Sequence, residues 1–189
     1  MSQIIADLLD FSRLLQQEAI MQPVNLNTVA NSVWNDFELV VEEKGAMASI
    51  SQLPEIHAVS IQINQLFYNL ISNSLKFTSE GVKPHISIDW EMADGLEAAS
   101  HTGQLMTFEK YYHIIFKDNG IGFDTQHSDQ IFEIFKRLHG QESYEGSGIG
   151  LALCRRIVAN HQGFLFAESE PGKGSAFHVY IPVQKFTVL

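Results

Sequence analysis

Apolar positions recur along this chain with two different periods, and the switches between them divide it into helices and strands. Over residues 2–20, Ile4, Leu8, Phe11 and Leu15 repeat at intervals of four, three and four, a heptad-like seam. So short a helix is marginal in water by itself. It is expected to pack on its own copy, on a missing helix, or on its own domain. Gln22-Pro23-Val24-Asn25 breaks the pattern, because proline removes a donor and biases its neighbour towards extended geometry. A second helix is expected over about 28–44, capped by Asn27, with Val29, Val33, Phe37, Val40 and Val41 inward and Gly45 ending it. Ala46–Gln52 and His57–Val59 read as strands. Ser60 is expected to cap a helix running to about Phe77, on which Ile63, Leu66, Phe67, Leu70, Ile71 and Leu75 form one broad apolar arc. Lys83–Met92 and Tyr111–Lys117 read as strands, joined by a polar connection, Ala93–Glu109, with little fixed structure. Ile131–Phe135 reads as a short amphipathic helix and 149–161 as a longer one. Strands Phe164–Ser169 and Ala176–Pro182 close the chain around a turn at Gly172-Lys173-Gly174-Ser175.

One helix departs from simple amphipathicity. On the side opposite its apolar arc, Asn69, Asn73 and Lys76 fall within about 60° of one another. A solvated face is the usual reason for a polar stripe, but asparagine is a poor helix former and solvated faces normally use Glu, Lys and Gln. Solvation and function both remain open for it. A second concentration of unusual residues is Asp118-Asn119-Gly120-Ile121-Gly122 at the end of a strand, read with Glu145-Gly146-Ser147-Gly148-Ile149-Gly150-Leu151 at the start of a helix. An acid at a strand end, glycines that let backbone approach a ligand, and unpaired N–H groups at a helix N-terminus suggest a nucleotide pocket. Leu138–Ser147 is polar, glycine-punctuated and too long for a tight turn, so a mobile lid is expected there.

Composition narrows the rest. The 189 residues suit one domain with a short appendage. A net charge of −10 argues against a nucleic-acid surface. The single cysteine, Cys154, excludes an internal disulfide framework and reads as a small buried hydrophobe on the last helix. No apolar run reaches about 18 residues and no signal-peptide pattern opens the chain. The expectation is a cytoplasmic domain whose parent protein is membrane-anchored or soluble.

Taken in order, the motifs resemble those of the ATP-binding catalytic domain of sensor histidine kinases, over about residues 25–185. Asn69–Phe77 resembles that family's N box, Asp118–Gly122 its G1 box, Ile131–Phe135 its F box, Gly146–Leu151 its G2 box, and Gly172–Ser175 its trailing Gly-x-Gly-Ser turn. Leu8–Leu14 resembles the last helix of the family's dimerisation domain. The resemblance implies 1–22 as the end of that domain and 23–189 as the catalytic domain. The implied fold is an α/β two-layer sandwich, a mixed sheet covered on one face by helices.

The resemblance also implies the site. ATP is the substrate and Mg²⁺ the cofactor. Asp118 would accept a hydrogen bond from the adenine amino group, with Gly120 and Gly122 letting the purine lie close to backbone. Asn73 would supply an oxygen to Mg²⁺. Asn69 and Lys76 would face the phosphates. Phe77 would pack near the nucleotide or in the core, and Phe135 would be a further nucleotide-binding residue. Gly146, Gly148 and Gly150 would let the lid fold over the phosphates and offer N–H groups to them, with Ile149, Leu151 and Ser175 as further nucleotide-binding residues. Arg137, with Lys136 as competitor, would stabilise the transferring charge. The implied partners are the dimerisation domain with its acceptor histidine, a response regulator, and a second copy in a full-length homodimer. In this family the acceptor histidine is followed by an acid, and none of the eight histidines here is. The chain is therefore expected to bind ATP without phosphorylating itself. Hydrolases of the same fold carry a glutamate four residues before the metal-binding asparagine, where this chain has Asn69, which cannot take a proton. A hydrolase and a non-catalytic signalling scaffold are the alternatives.

Overall fold

A computed structural model describes residues 20–102, 107–136 and 147–183. The expected helix over 2–20, most of the expected lid, and site residues Arg137 and Gly146 lie outside them.

The described elements run β1 (Gln22–Asn25), α1 (Leu26–Asp36), α2 (Glu38–Lys44), β2 (Met47–Ile50), β3 (Glu55–Ala58), α3 (Ser60–Lys76), β4 (His85–Asp94), α4 (Gly95–Thr102), β5 (Lys110–Asp118), α5 (Gly150–Asn160), β6 (Phe164–Glu170) and β7 (Gly174–Pro182). Two short 3₁₀ turns, Thr125–His127 and Gln130–Phe132, lie between β5 and α5. A five-stranded sheet has the order β2-β4-β5-β7-β6. β2 runs parallel to β4 and the other pairs are antiparallel, so the sheet is mixed. β1 and β3 form a separate antiparallel ribbon. Helices α1, α3 and α5 cover one face, giving the expected two-layer α/β sandwich.

Period-2 alternation sorts the strand residues between two cores. Ile86 and Ile88 of β4, Ile114 and Phe116 of β5, and Phe177, Val179 and Ile181 of β7 meet the apolar arc of α3, in which all six expected residues are buried. The Phe67 ring sits edge-on to Phe116 at 4.8 Å. On the opposite face Ala93, Tyr111 and Tyr180 form a smaller cluster with Ala98 of α4. Beside it His113 links Glu91 and His178, each bond 2.9 Å long, across three adjacent strands.

Several local expectations are corrected. Asn25, not Asn27, caps the first helix, accepting from the Thr28 N–H at 3.1 Å, while the Asn27 side chain bridges the Leu53 carbonyl and N–H. The single helix expected over 28–44 is two, broken at Phe37. Asn35-Asp36 just before the break are weak helix formers, and the Phe37 ring turns to pack on Tyr68 at 4.8 Å. Gly45 does end α2, in the left-handed conformation. Gln22–Asn25, where the helical pattern breaks, is in addition a strand, because Pro23 is tolerated in a two-stranded ribbon. Ser60 is the first residue of α3 rather than its cap, which is Val59. The connection after β4 contains α4, begun by the Asp94 carboxylate accepting from the Glu97 N–H at 2.8 Å. The helix expected at Ile131–Phe135 is only the 3₁₀ turn Gln130–Phe132, since so short a segment cannot repay α-helix nucleation.

Candidate functional site

β5 ends at Asp118, whose residue is 8% exposed beneath the C-terminal half of α3. Its Oδ1 accepts from the Gly120 N–H at 2.8 Å and the Ser175 N–H at 3.1 Å, and its Oδ2 accepts from the Ser74 hydroxyl at 3.1 Å. Burial pushes the carboxyl above the usual aspartate range, and these three donors pull the other way. A carboxylate offers about four acceptor positions. Three are filled from within the protein, leaving one, on Oδ2, with no donor among the described residues.

The glycines after Asp118 serve the chain's own packing. A Cβ on Gly120 would run into the Phe77 carbonyl oxygen, which accepts from the Ile121 N–H at 2.8 Å and ties the end of α3 to this loop. Gly122 has φ 62°, and a Cβ there would strike the Glu170 carbonyl oxygen. Each glycine therefore has a reason in the chain's own packing, whatever else it does for a ligand. Asn119 holds the approach to β4, accepting from the His85 N–H at 2.8 Å and donating to the Lys83 carbonyl at 3.0 Å.

The polar stripe of α3 holds as a stripe: Asn69, Asn73 and Lys76 are all half-buried. Asn69 Nδ2 donates to the Gln65 carbonyl at 2.9 Å. Its Oδ1 faces the start of α5, 3.0 Å from where a Cβ on Gly150 would stand. The Lys76 ammonium lies 4.5 Å from the centre of the Phe77 ring. No side chain caps α5, whose N-cap is Ile149, so its first-turn N–H groups and the positive end of its dipole open beside Asn69. Ile149 itself is only 1% exposed, and Leu151 packs partly into the core. The Phe135 N–H donates to the Gly148 carbonyl at 3.0 Å, joining the two motifs. Phe135 has φ 65°, uncommon for a bulky residue, and is 57% exposed, so it stands at the rim rather than inside a pocket. Among the described residues no three His, Cys, Asp or Glu converge to hold a metal. The neutral amide oxygens of α3 suit a hard cation that takes its other ligands from phosphate and water.

The site is a buried, singly available acceptor at one end, with amides, an ammonium and a helix N-terminus towards the other. Those groups have the chemistry to meet an amino group at one end and an anion at the other. A family profile described as histidine kinase-, DNA gyrase B- and HSP90-like ATPase matches residues 58–185. The chain belongs to this ATPase family. It is 35% identical over 183 residues to the phytochrome-like protein Cph1 of Synechocystis, covering 97% of this chain and 22% of that protein. It is 31% identical over 188 residues to the adaptive-response sensory kinase SasA of Thermosynechococcus vestitus, covering 97% of this chain and 45% of that protein. The chain thus spans less than half the length of these curated relatives. A crystal structure of full-length ShkA in complex with AMPPNP superposes with a TM-score of 0.74 at 24% identity, over 97% of this chain and 36% of that one. It shows the fold to be shared.

Within this ATPase fold, sequence reasoning found Asp118, the α3 stripe and the α5 N-terminus, but missed Ser74 and Ser169. Ser74 had a legible signal, a hydroxyl set inside the apolar arc between Leu70, Ile71 and Leu75. Ser169 had none. Its hydroxyl accepts from the Phe123 N–H at 2.9 Å and donates to the Gly174 carbonyl at 2.7 Å, tying the loop after Gly122 to the turn that carries Ser175.

Proposed function

We propose that this domain binds ATP with Mg²⁺ and passes the γ-phosphoryl group to a histidine of a dimerisation domain, for relay to a response-regulator aspartate in the parent protein. The observation that carries the reading is the single acceptor position left on buried Asp118, which suits the exocyclic amino group of adenine and repels the 6-oxo group of guanine. The phosphates then run along α3 towards α5. Asn73 is the magnesium ligand, and Asn69 and Lys76 meet the phosphates with Gly148, Gly150 and the first turn of α5. Magnesium supplies charge neutralisation there. The chain's own residues orient the nucleotide and shield it from water, with Phe77, Phe135, Ile149, Leu151 and Ser175 framing it. The relatives' description as sensory kinases and the AMPPNP bound to ShkA both support an adenine nucleotide and a kinase role.

Asn69 supports transfer over hydrolysis. An amide cannot take a proton from water, and this one is already engaged with Gln65. Of the two basic residues after the F motif, Lys136 lies 3.7 Å from Glu133, which favours Arg137 for the γ-phosphate.

Calorimetric titration with ATP, with and without Mg²⁺, tests the reading. Binding in the micromolar range, about −8 kcal/mol, is expected, dependent on Mg²⁺ and weakened in Asn73→Ala. Adding a separate dimerisation domain should then place acid-labile phosphate on its histidine, whereas rapid ATP turnover without transfer would favour a hydrolase. Absence of binding under both conditions would favour a scaffold.

A further inference from the structure

We propose that Ser74 is a positioning residue for the base: its hydroxyl occupies one of the two acceptor positions on Asp118 Oδ2 and so leaves one direction open, matched to the 6-amino group of an adenine nucleotide. The proposal rests on the nucleotide reading above and adds to it what selects the base.

Ser74 is 3% exposed, near the C-terminal end of the α3 face that packs on the sheet. A hydroxyl buried there is costly unless bonded, and alanine would be the better helix former. A serine inside a helix commonly turns its hydroxyl back to the carbonyl one turn earlier. Here the hydroxyl instead crosses to Asp118 Oδ2 at 3.1 Å, 44 residues along the chain. The bond is buried at both ends and meets the one functional carboxylate at the strand end. Because the two backbone donors both fall on Oδ1, Ser74 alone decides how Oδ2 is presented. Without it, Oδ2 would show two open positions, and a water could fill one of them and offer its own hydrogen to a 6-oxo base.

The same hydroxyl favours the ionised carboxylate, against the burial that disfavours it. Its removal raises the pH at which Asp118 takes a proton and stops accepting. The charged or titratable groups on neighbouring elements that lie near this end of the sheet in sequence or strand register are His85 at the start of β4, Lys76 on α3, Lys117 on β5, and Lys173 and Glu170 at the β6–β7 turn; the others, such as Asp89, Glu91, His113 and His178, lie further along their strands. Lys173 and Glu170 pair with each other at 2.8 Å. All are retained in the variants below.

The test measures ATP and inosine triphosphate affinity, each from pH 5 to 8, for the whole chain and for Ser74→Ala and Ser74→Thr. At pH 7.5, Ser74→Ala is expected to bind ATP about three- to tenfold more weakly. It should also show a smaller preference for ATP over inosine triphosphate, and lose ATP binding at a higher pH than the unaltered chain. Ser74→Thr, which keeps the hydroxyl, restores all three. If Ser74→Ala is too unstable, Ser74→Cys substitutes a weak donor of similar size and is expected to move the same readouts in the same direction. If the variant melts at a lower temperature but keeps the base preference and the pH midpoint, Ser74 is a structural tie and the proposal is overturned. If the unaltered chain binds neither nucleotide, the nucleotide reading itself falls and takes this proposal with it.

Discussion

Asp118→Asn isolates the chemistry of the site from its architecture. In the folded chain the asparagine Oδ1 can take over both backbone donors, Gly120 N–H and Ser175 N–H, and its Nδ2 can donate to the Ser74 hydroxyl, which reverses its role. All three internal bonds survive in kind. What changes is the fourth position: an open acceptor becomes an N–H pointing at the place where adenine would bring its own N–H. The loss is one hydrogen bond to a charged group, about 1.5–3 kcal/mol, or about tenfold to 150-fold in affinity. Inosine triphosphate, with an oxygen at that position, should lose little or gain. The nucleotide-free protein should behave oppositely. Burial raises the Asp118 carboxyl, so its ionisation weighs against the fold, an effect absent below the ordinary aspartate value of about 3.8 and growing as pH rises through the folded value. Asparagine does not titrate, so the variant's melting temperature relative to the unaltered chain should rise across that window. Calorimetry with both nucleotides and thermal melts without them read the two effects separately. An ATP affinity within twofold of the unaltered chain, in a folded variant, would refute the acceptor count and with it the role of Asp118.

Four further outcomes follow from the packing. His161 is buried, donates from Nδ1 to the Ile157 carbonyl at 2.8 Å and accepts the Val59 N–H on Nε2 at 3.0 Å, and burial lowers its pKa. Its neutral form therefore stabilises the fold fully above the ordinary histidine value of about 6.5, and that contribution is lost as pH falls towards the depressed value. Denaturant titrations from pH 5 to 7.5 should show this slope, and His161→Leu should flatten it while costing about 1–3 kcal/mol for the orphaned Val59 N–H. Gly122→Ala should destabilise by well over 1 kcal/mol, because strain at positive φ adds to a collision with Glu170. Gly81→Ala, at φ 76° with nothing within 4 Å, should cost only the left-handed penalty of about 1–2 kcal/mol. Cys154 is fully buried and burial pushes its thiol up, so it should resist alkylation at pH 8 until the protein unfolds.

What was legible in the sequence was whatever rests on periodicity or on one residue's backbone geometry. The apolar arc of α3 is a period of 3.6 sustained over 17 residues, and Gly45 is a left-handed cap with no competitor nearby. Asp118 announced itself as an acid where a buried strand ends. Features set by partners distant in sequence were not legible. Asn25 and Asn27 are equally good caps as residue types, and only the reach of Asn27 to Leu53 decides between them. α4 carries too few apolar residues to show a period, and its buried anchor Ala98 is defined by Tyr111 and Tyr180. The strained backbone at Phe135 depends on a bond to Gly148. Within the site, residues presented by side chain on regular elements were placed by pattern alone, whereas the ties made by Ser74 and Ser169 needed the tertiary fold.

The contacts of Gly120 and Gly122 bear on how degenerate relatives should be recognised. Both glycines make room for protein carbonyls, Phe77 on one side and Glu170 on the other, and would be needed in a chain that had abandoned nucleotide altogether. A pseudoenzyme descended from this fold could keep its glycines intact and still be inert. The informative test of such a sequence is the pair Asp118 and Asn73: their replacement by residues that can neither accept from a base nor lend an oxygen to a cation would mark a domain retained for its shape.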